Sequence, residues 1–164
     1  MSTQMSTQTQ TSAASAPAAP ATAPAATAAP AERKLPAPLI NPENQRFYDA
    51  TAKGMLLIGK CNACGEVHYY PRVICPHCGA DGAEWIEAKG TGTIYSYSTL
   101  HRGAPVPYTI AYVTLDEGVS MMTNLTGFAP GSLKIGQRVR VVFQEADGGI
   151  AGKPGAMMPM FTPV

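Results

Sequence analysis

Four cysteines are the residues of this sequence whose type and spacing best define a chemistry. They form two Cys-x-x-Cys knuckles separated by ten residues, each followed directly by glycine: Cys61, Cys64, Gly65, Cys75, Cys78 and Gly79. A turn of this spacing aims both sulfurs at one point, and the glycine lets backbone amides approach the thiolates. Two such turns complete a tetrahedral site for zinc. Because four thiolates leave no position for water or substrate, we predict that the zinc is structural.

Three other interpretations of the cysteines are less favoured. Four thiolates can also hold iron in a site of the rubredoxin type. A thioredoxin-like redox pair would come singly within a βαβ pattern, which the sequence lacks. Paired disulfides would need an oxidising compartment, and no targeting segment supports one. His68 and His77 lie beside the knuckles, and we interpret them as surface groups or groups behind the thiolates rather than as ligands.

Outside the cysteines the sequence offers little for catalysis. No Ser, His and Asp occur in a recognisable triad context. His101, at the end of a predicted strand, is more typical of a loop residue than of a general acid or base. Gly90 and Gly92 mark a strand entrance, where glycine relieves crowding rather than binding phosphate. The sequence therefore favours a binding or structural protein over an enzyme acting alone.

The knuckles need short elements to position them. A helix is predicted to begin at Asn41-Pro42-Glu43, where an N-cap residue, a proline at the first helical position and an acid follow one another. Its apolar face carries Phe47, Ala50 and Thr51, and Gly54 ends it after roughly three turns. This helix either packs on the following module or docks to a partner. Short strands are predicted around the knuckles at Leu56–Ile58, Val67–Tyr70 and Trp85–Ile86.

From Gly90 onward the pattern becomes β. Five strands are predicted: Thr93–Leu100, Tyr108–Asp116, Val119–Leu125, Arg138–Glu145 and Met158–Phe161. Alternation places Val139, Val141 and Phe143 inward, and likewise Ala111, Val113 and Leu115. A longer connection between the third and fourth strands suits a small, partly open Greek-key barrel, with a sandwich fragment as the alternative. The tyrosines of the first two strands either form an interface or fill and flank the barrel: Tyr95, Tyr97, Tyr108 and Tyr112.

The start of the chain differs in composition from the rest. Residues 1–31 contain only Ala, Pro, Ser, Thr, Gln and two methionines, and every charged residue lies at or after Glu32. We predict a disordered tail over residues 1–34, a helix and zinc ribbon over residues 35–88, and a barrel over residues 89–164. No secretory, mitochondrial or membrane-spanning pattern is present, so a cytoplasmic protein without membrane attachment is expected.

These motifs together resemble one family, the zinc-ribbon/OB-fold proteins that accompany acyl-CoA enzymes. The resemblance covers Pro42 through Phe161 and differs in the Ala/Pro tail and the glycine-rich insertion at residues 148–155. Besides the knuckles, it rests on Phe47-Tyr48, Gly54, Pro71-Arg72, Trp85, Gly90 to Tyr97, His101-Arg102, Pro107-Tyr108, Leu115 to Gly118, Thr123 to Leu125, Ile135-Gly136 and Val139 to Phe143. It implies a mainly β fold, with a short N-terminal helix, a rubredoxin-like four-cysteine zinc ribbon and a five-stranded OB-type barrel.

The resemblance also implies a function. Such a chain is a non-catalytic subunit that binds acyl-CoA or scaffolds a catalytic partner, which is a thiolase, a related acyltransferase, hydroxymethylglutaryl-CoA synthase or a hot-dog-fold hydratase. CoA phosphates require Arg or Lys beside apolar surface. The candidates for CoA binding or the partner interface are Arg72, Arg102, Lys134, Arg138 and Arg140.

Two alternatives to CoA binding remain. Zinc ribbons and OB barrels also bind single-stranded nucleic acid. The net charge of +1 is nearly neutral, and residues 89–147 carry five basic and four acidic side chains. That balance exerts little pull on a polyanion, so no nucleic-acid partner is expected. The other alternative is a scaffold that fixes the arrangement of its partner without touching CoA.

Overall fold

The computed structural model describes residues 35–70, 72–102, 106–129, 131–147 and 155–164. The predicted tail, residues 1–34, lies outside these ranges, so its disorder stays a prediction. Among the described residues, no helix has the length and apolar character needed to cross a membrane. Within the same ranges the chain forms one helix and eight strands: α1 Gln45–Thr51, β1 Leu57–Cys61, β2 Val67–His68, β3 Ala83–Glu87, β4 Thr91–Leu100, β5 Tyr108–Leu115, β6 Ser120–Leu125, β7 Arg138–Glu145 and β8 Met157–Pro163.

The helix α1 is shorter than predicted and begins at Gln45 rather than near Asn41. The amide N–H of Asn44 donates to Asn41 Oδ1 (2.9 Å), and the Asn41 amide donates to Asn44 Oδ1 (2.8 Å). These reciprocal bonds close a separate turn that contains Glu43, so no acid lies in the first helical turn. The predicted buried face of Phe47, Ala50 and Thr51 is confirmed.

The ribbon is an antiparallel sheet with strand order β2-β1-β3. Its central strand pairs along its whole length with β3, from Leu57 opposite Glu87 to Cys61 opposite Ala83. The strand predicted at Val67–Tyr70 ends at His68. The two tyrosines that follow leave the sheet and pack on Phe47, with ring centroids 6.0 and 5.1 Å away. The helix and the ribbon therefore share aromatic contacts.

The remaining five strands form a closed barrel in the order β4-β5-β6-β8-β7. We predicted a partly open barrel. The structure closes it because β4 begins at Thr91 and pairs with β7, placing Thr91 opposite Arg140. On its other side β4 approaches β5 closely at Gly92, where a Cβ would lie 2.6 Å from the carbonyl oxygen of Thr114. The role predicted for Gly92 is thus confirmed, and the sandwich alternative is wrong.

One hydrophobic core runs through the ribbon and the barrel. It joins Phe47, Leu56 and Ile58 with Val113 and Phe161. The predicted inward residues of β5 are all buried, and in β7 Val139 is buried while Val141 and Phe143 are half-buried against the same core. The predicted boundary between residues 88 and 89 falls in the link between β3 and β4, and it stays a prediction.

Candidate metal centre and barrel pocket

The four cysteine sulfurs converge on one point. Cys61 Sγ lies 3.6 Å from Cys78 Sγ, and Cys64 Sγ lies 3.8 Å from Cys75 Sγ. All four sulfurs lie within 4.8 Å of one another, and no described histidine or carboxylate belongs to this cluster. Zinc–sulfur bonds of about 2.3 Å in a tetrahedron separate the sulfurs by about 3.8 Å. The donor set and its spacing therefore fit a closed four-thiolate zinc site.

The two knuckles hold their first cysteine in the same way. Cys61 Sγ accepts a hydrogen bond from the Ala63 amide at 3.3 Å, and Cys75 Sγ accepts one from the His77 amide at 3.4 Å. Each following glycine has a positive φ, +76° at Gly65 and +73° at Gly79, a conformation that residues with a side chain rarely adopt. The predicted role of the two glycines is confirmed.

The pKa values of the cysteine thiols also favour a bound cation at this cluster. Backbone amides of Cys64 and Ala63 lower the pKa of the Cys61 thiol to about 6. A hydrogen bond from the Glu66 amide works in the same direction on Cys64, yet desolvation and three neighbouring thiols raise its pKa to about 12. Four sulfurs this close cannot all ionise without a compensating positive charge. A divalent metal supplies that charge and takes all four as thiolates.

The two ribbon histidines lie outside the metal cluster. His77 is exposed, and its Nε2 lies 3.3 Å from the carbonyl oxygen of Val67. His68 is buried, so its interpretation as a surface group is wrong. Its ring covers Gly59, where any Cβ would collide with the imidazole. His68 therefore serves the packing of the ribbon sheet.

A cavity of about 630 Å³ opens at one end of the barrel. This barrel pocket is mostly apolar, and its lining includes Tyr97, Thr99, His101, Thr109, Leu125 and Phe128. The hydroxyls of Thr99 and Thr109 lie 2.8 Å apart, and the Tyr97 hydroxyl donates to the carbonyl oxygen of Leu133 at 3.1 Å. Sequence reasoning missed this pocket because its wall combines three strands with the segment after β6.

The five predicted cations lie in three separate places. Arg72 lines a second cavity, on the ribbon beside Cys75. Arg102 and Lys134 directly follow His101 and Leu133, which line the barrel pocket. Arg138 and Arg140 are exposed on β7.

Arg138 already has a partner within the chain. Its guanidinium makes a two-pronged ion pair with Asp116 at 2.6 and 2.9 Å. That pair links β7 to the turn after β5. Binding of CoA or a partner by any of the five cations stays a prediction.

Two family models match adjoining parts of the chain. Residues 49–84 match the rubredoxin-like zinc ribbon domain of ChsH2, and residues 85–144 match the C-terminal OB-fold domain of ChsH2. Together they cover both knuckles and most of the barrel. The predicted zinc ribbon and OB-type barrel are therefore confirmed as domain types.

Known relatives share this pattern. The chain is 37% identical over 132 residues to a probable enoyl-CoA hydratase alpha subunit of Thermomonospora curvata, covering 78% of this chain and 40% of that protein. The chain thus spans less than half the length of that relative. It is also 35% identical over 92 residues to a DUF35 domain-containing scaffold protein of Methanothermobacter thermautotrophicus, covering 52% of this chain and 69% of that protein.

A solved structure extends the likeness to three dimensions. A chain of the Ltp2-ChsH2(DUF35) aldolase superposes with a TM-score of 0.64 and 36% identity, covering 77% of this chain and 98% of that one. At this coverage the likeness extends over both the ribbon and the barrel. The domain matches, the relatives and this superposition show that the chain belongs to the DUF35 family of zinc-ribbon/OB-fold proteins, which includes ChsH2.

Proposed function

We propose that this chain is a non-catalytic subunit that organises an enzyme complex acting on CoA esters. The observation that carries the proposal is the superposition, over nearly the whole of that chain, with the DUF35 chain of an aldolase named for two components. The names of the other relatives, a hydratase alpha subunit and a scaffold protein, agree with such a role. The partner we propose is a thiolase-like enzyme or a hot-dog-fold hydratase.

The chemistry of the described residues supports an accessory role. All four thiols belong to the metal cluster, and thiolates held by zinc in a closed site do not serve as nucleophiles for a substrate. His68 is buried against Gly59, and His77 contacts the ribbon backbone. These four thiols and two histidines thus have structural roles, and we assign the catalytic groups to the partner.

The barrel pocket is the proposed contact for the CoA ester. Its apolar wall suits an acyl or pantetheine arm. Arg102 and Lys134 lie next in sequence to two of its lining residues, where cations would meet phosphates. Arg138 is less suited because its guanidinium is engaged by Asp116. We propose a cytoplasmic complex with structural zinc, because the four cysteines form one metal cluster and no described cysteine remains for a disulfide.

The test is reconstitution of this chain with candidate thiolase-like and hot-dog-fold hydratase subunits. We expect a stable complex that turns over acyl-CoA and loses this activity when this chain is withdrawn. The purified chain alone should show no activity. Turnover of acyl-CoA by the purified chain would make it an enzyme. Tight, salt-sensitive binding to single-stranded RNA or DNA would favour the nucleic-acid alternative instead.

Arg102→Ala tests the CoA contact within that complex. Loss of a charge-assisted hydrogen bond should raise the apparent KM for the acyl-CoA by an amount worth roughly 1.5–3 kcal/mol. Lys60→Ala, which removes an exposed cation from β1, is the matched control and should leave KM unchanged. Equal KM values in both variants would contradict the contact while leaving the subunit role intact.

A further inference from the structure

Three neighbouring strands of the barrel carry no charge. β4, β5 and β6 together contain no Asp, Glu, Lys or Arg. A sheet face in water normally carries charged side chains that keep it soluble and unpaired. β7, by contrast, carries Arg138, Arg140 and Glu145. β8, which lies beside β6, is also uncharged, but none of its residues is exposed. The exposed part of the charge-free surface therefore lies on β4, β5 and β6.

The outward side chains of these strands form a single apolar surface. Residues that alternate with the buried Ala111, Val113 and Met121 face away from the core. Register places Tyr112 opposite Met122 on β6. A β-bulge between Ile94 and Ser96 makes Tyr95 an extra residue of β4. We call this surface the uncharged face; its large members are Tyr95, Leu100, Ile110, Tyr112 and Met122.

The uncharged face is large enough to matter for association. Its members are exposed by 70% at Tyr95, 42% at Leu100, 40% at Ile110, 49% at Tyr112 and 59% at Met122. Taking roughly 150–250 Å² for a large side chain, these fractions amount to about 390–650 Å². Monomers rarely expose a larger apolar patch, and a stable interface buries about 800 Å² on each partner. The face can thus supply the apolar centre of an interface, surrounded by the serines and threonines of the same strands.

We propose that the uncharged face is the docking surface for the catalytic subunit, through a matching surface that is apolar and uncharged. The inference rests on the proposed function. Because the face has no charge to complement, neither an acidic nor a basic surface gains by covering it. Apolar centres of this kind are typical of permanent complexes rather than of transient, electrostatically steered encounters.

The position of the face relative to the barrel pocket favours a catalytic subunit over a second copy. A shallow cavity of about 160 Å³ on this side is lined by Ser96, Tyr97, Ile110, Tyr112 and Met122 among others. Tyr97 also lines the barrel pocket, so the two cavities meet at this residue of β4. A subunit seated on the face would therefore lie near the proposed CoA contact.

Substitution tests the face in the reconstituted complex. Tyr112→Lys combined with Met122→Lys buries two charges in an apolar interface and should weaken the complex at least about 30-fold, the loss expected of a hot spot. Leu39→Lys, which changes an even more exposed apolar residue before α1, is the control and should leave affinity unchanged. The thermal midpoint of each isolated variant verifies that the barrel is folded.

Two adjacent methionines give a second measurement that needs no substitution. Met122 is exposed and Met121 is 1% exposed. In the isolated chain, mild peroxide should therefore oxidise Met122 and spare Met121, as read by mass spectrometry of the peptide. In the complex, the oxidation rate of Met122 should fall at least about tenfold, as expected when an interface excludes water from its centre.

The possible outcomes separate the two proposals. If the wild-type chain forms no complex with these subunits, the proposed function fails. If the complex forms but neither the double variant nor Met122 protection shows an effect, the docking face is wrong and the subunit role survives. A wild-type chain that dimerises alone, and whose dimer is abolished by the double variant while the complex is retained, would assign the face to a second copy.

Discussion

The ribbon and the barrel are stabilised by different interactions. Within residues 57–87 the buried side chains are few, and two of them are Cys61 and Cys75. The barrel buries a row of aliphatic and aromatic side chains, among them Val113, Val139 and Phe161, each with no exposed surface. A sheet of two- to five-residue strands cannot bury enough apolar area to be stable alone. The ribbon therefore depends on its metal, and the barrel on its core.

The ribbon and the barrel also differ in how far apart in sequence their contacting residues lie. The ribbon ligands lie within 18 positions, from Cys61 to Cys78, so ordering them closes only a short loop. The barrel closes by pairing β4 with β7, whose contacts join residues such as Thr91 and Arg140. Local chelation and long-range packing thus meet in one core, where Ile58 and Phe161 belong to the same cluster.

The largest effect is expected from breaking the metal site. Cys61→Ser should abolish zinc binding and unfold the ribbon, since structural zinc contributes on the order of 10 kcal/mol to folding. Trp85, the single tryptophan, lies in β3 of the ribbon, so its fluorescence reports this loss. His77→Ala is the control, and metal analysis should still find about one zinc per chain. A folded wild-type chain with four freely titrating thiols and neither zinc nor iron would contradict the site.

A smaller loss of stability is expected from a substitution that leaves a cavity in the barrel core. Phe161→Ala removes a fully buried ring and should lower the free energy of unfolding by roughly 3–5 kcal/mol. Urea unfolding followed by circular dichroism measures the change. Zinc content should stay at the wild-type level in the folded variant. Loss of zinc at the same urea concentration as the loss of β-structure would show that ribbon and barrel unfold as one unit.

Two glycines allow the same change to be compared in both regions. A Cβ at Gly92 would meet the backbone of β5, whereas at Gly59 it would meet the ring of His68. Gly92→Ala should cost roughly 1–3 kcal/mol because a backbone cannot move as a side chain can. Gly59→Ala should cost less if the imidazole finds another rotamer. Equal destabilisation, measured by urea unfolding, would show that His68 is fixed as firmly as a strand.

The smallest effect concerns the ion pair on the barrel surface. Hydrogen bonds from Arg138, and then from Thr91, hold the pKa of Asp116 well below its usual range. A carboxyl with a depressed folded pKa stabilises the fold above its unfolded pKa, near 4. That contribution is lost as pH falls from there through the folded value. Below about pH 4, the thermal midpoint of Asp116→Asn should depend less on pH than that of the wild-type chain. At pH 7 the substitution should shift the midpoint only slightly, because exposed ion pairs contribute little to stability.

Local chemistry made parts of the molecule predictable from sequence. The four-cysteine cluster was predictable because two Cys-x-x-Cys knuckles each supply two sulfurs to one tetrahedral site. The limits of β7, Arg138–Glu145, agree with the prediction because its apolar and polar residues alternate. The helix start was wrong by one turn because Asn41 and Asn44 both qualify as caps, and only their mutual hydrogen bonds decide.

Contacts between distant segments could not be predicted in the same way. The barrel pocket needs Leu133, from the segment after β6, beside Tyr97 of β4. The pairing of Arg138 with Asp116 depends on how β7 closes onto β4. The sequence pattern of either segment alone does not predict these contacts, because they form only when the barrel is assembled.

The strand order also determines when the two regions can form during synthesis. β8 is the last strand in chain order, yet it lies between β6 and β7 and carries Phe161 into the core. A nascent chain can complete both knuckles and take up metal as soon as Cys78 has left the ribosome. The barrel must wait until β8 has emerged, and until then β6 and β7 expose unpaired edges. A chain that ends before Met157 would thus contain a finished ribbon and an open, aggregation-prone sheet.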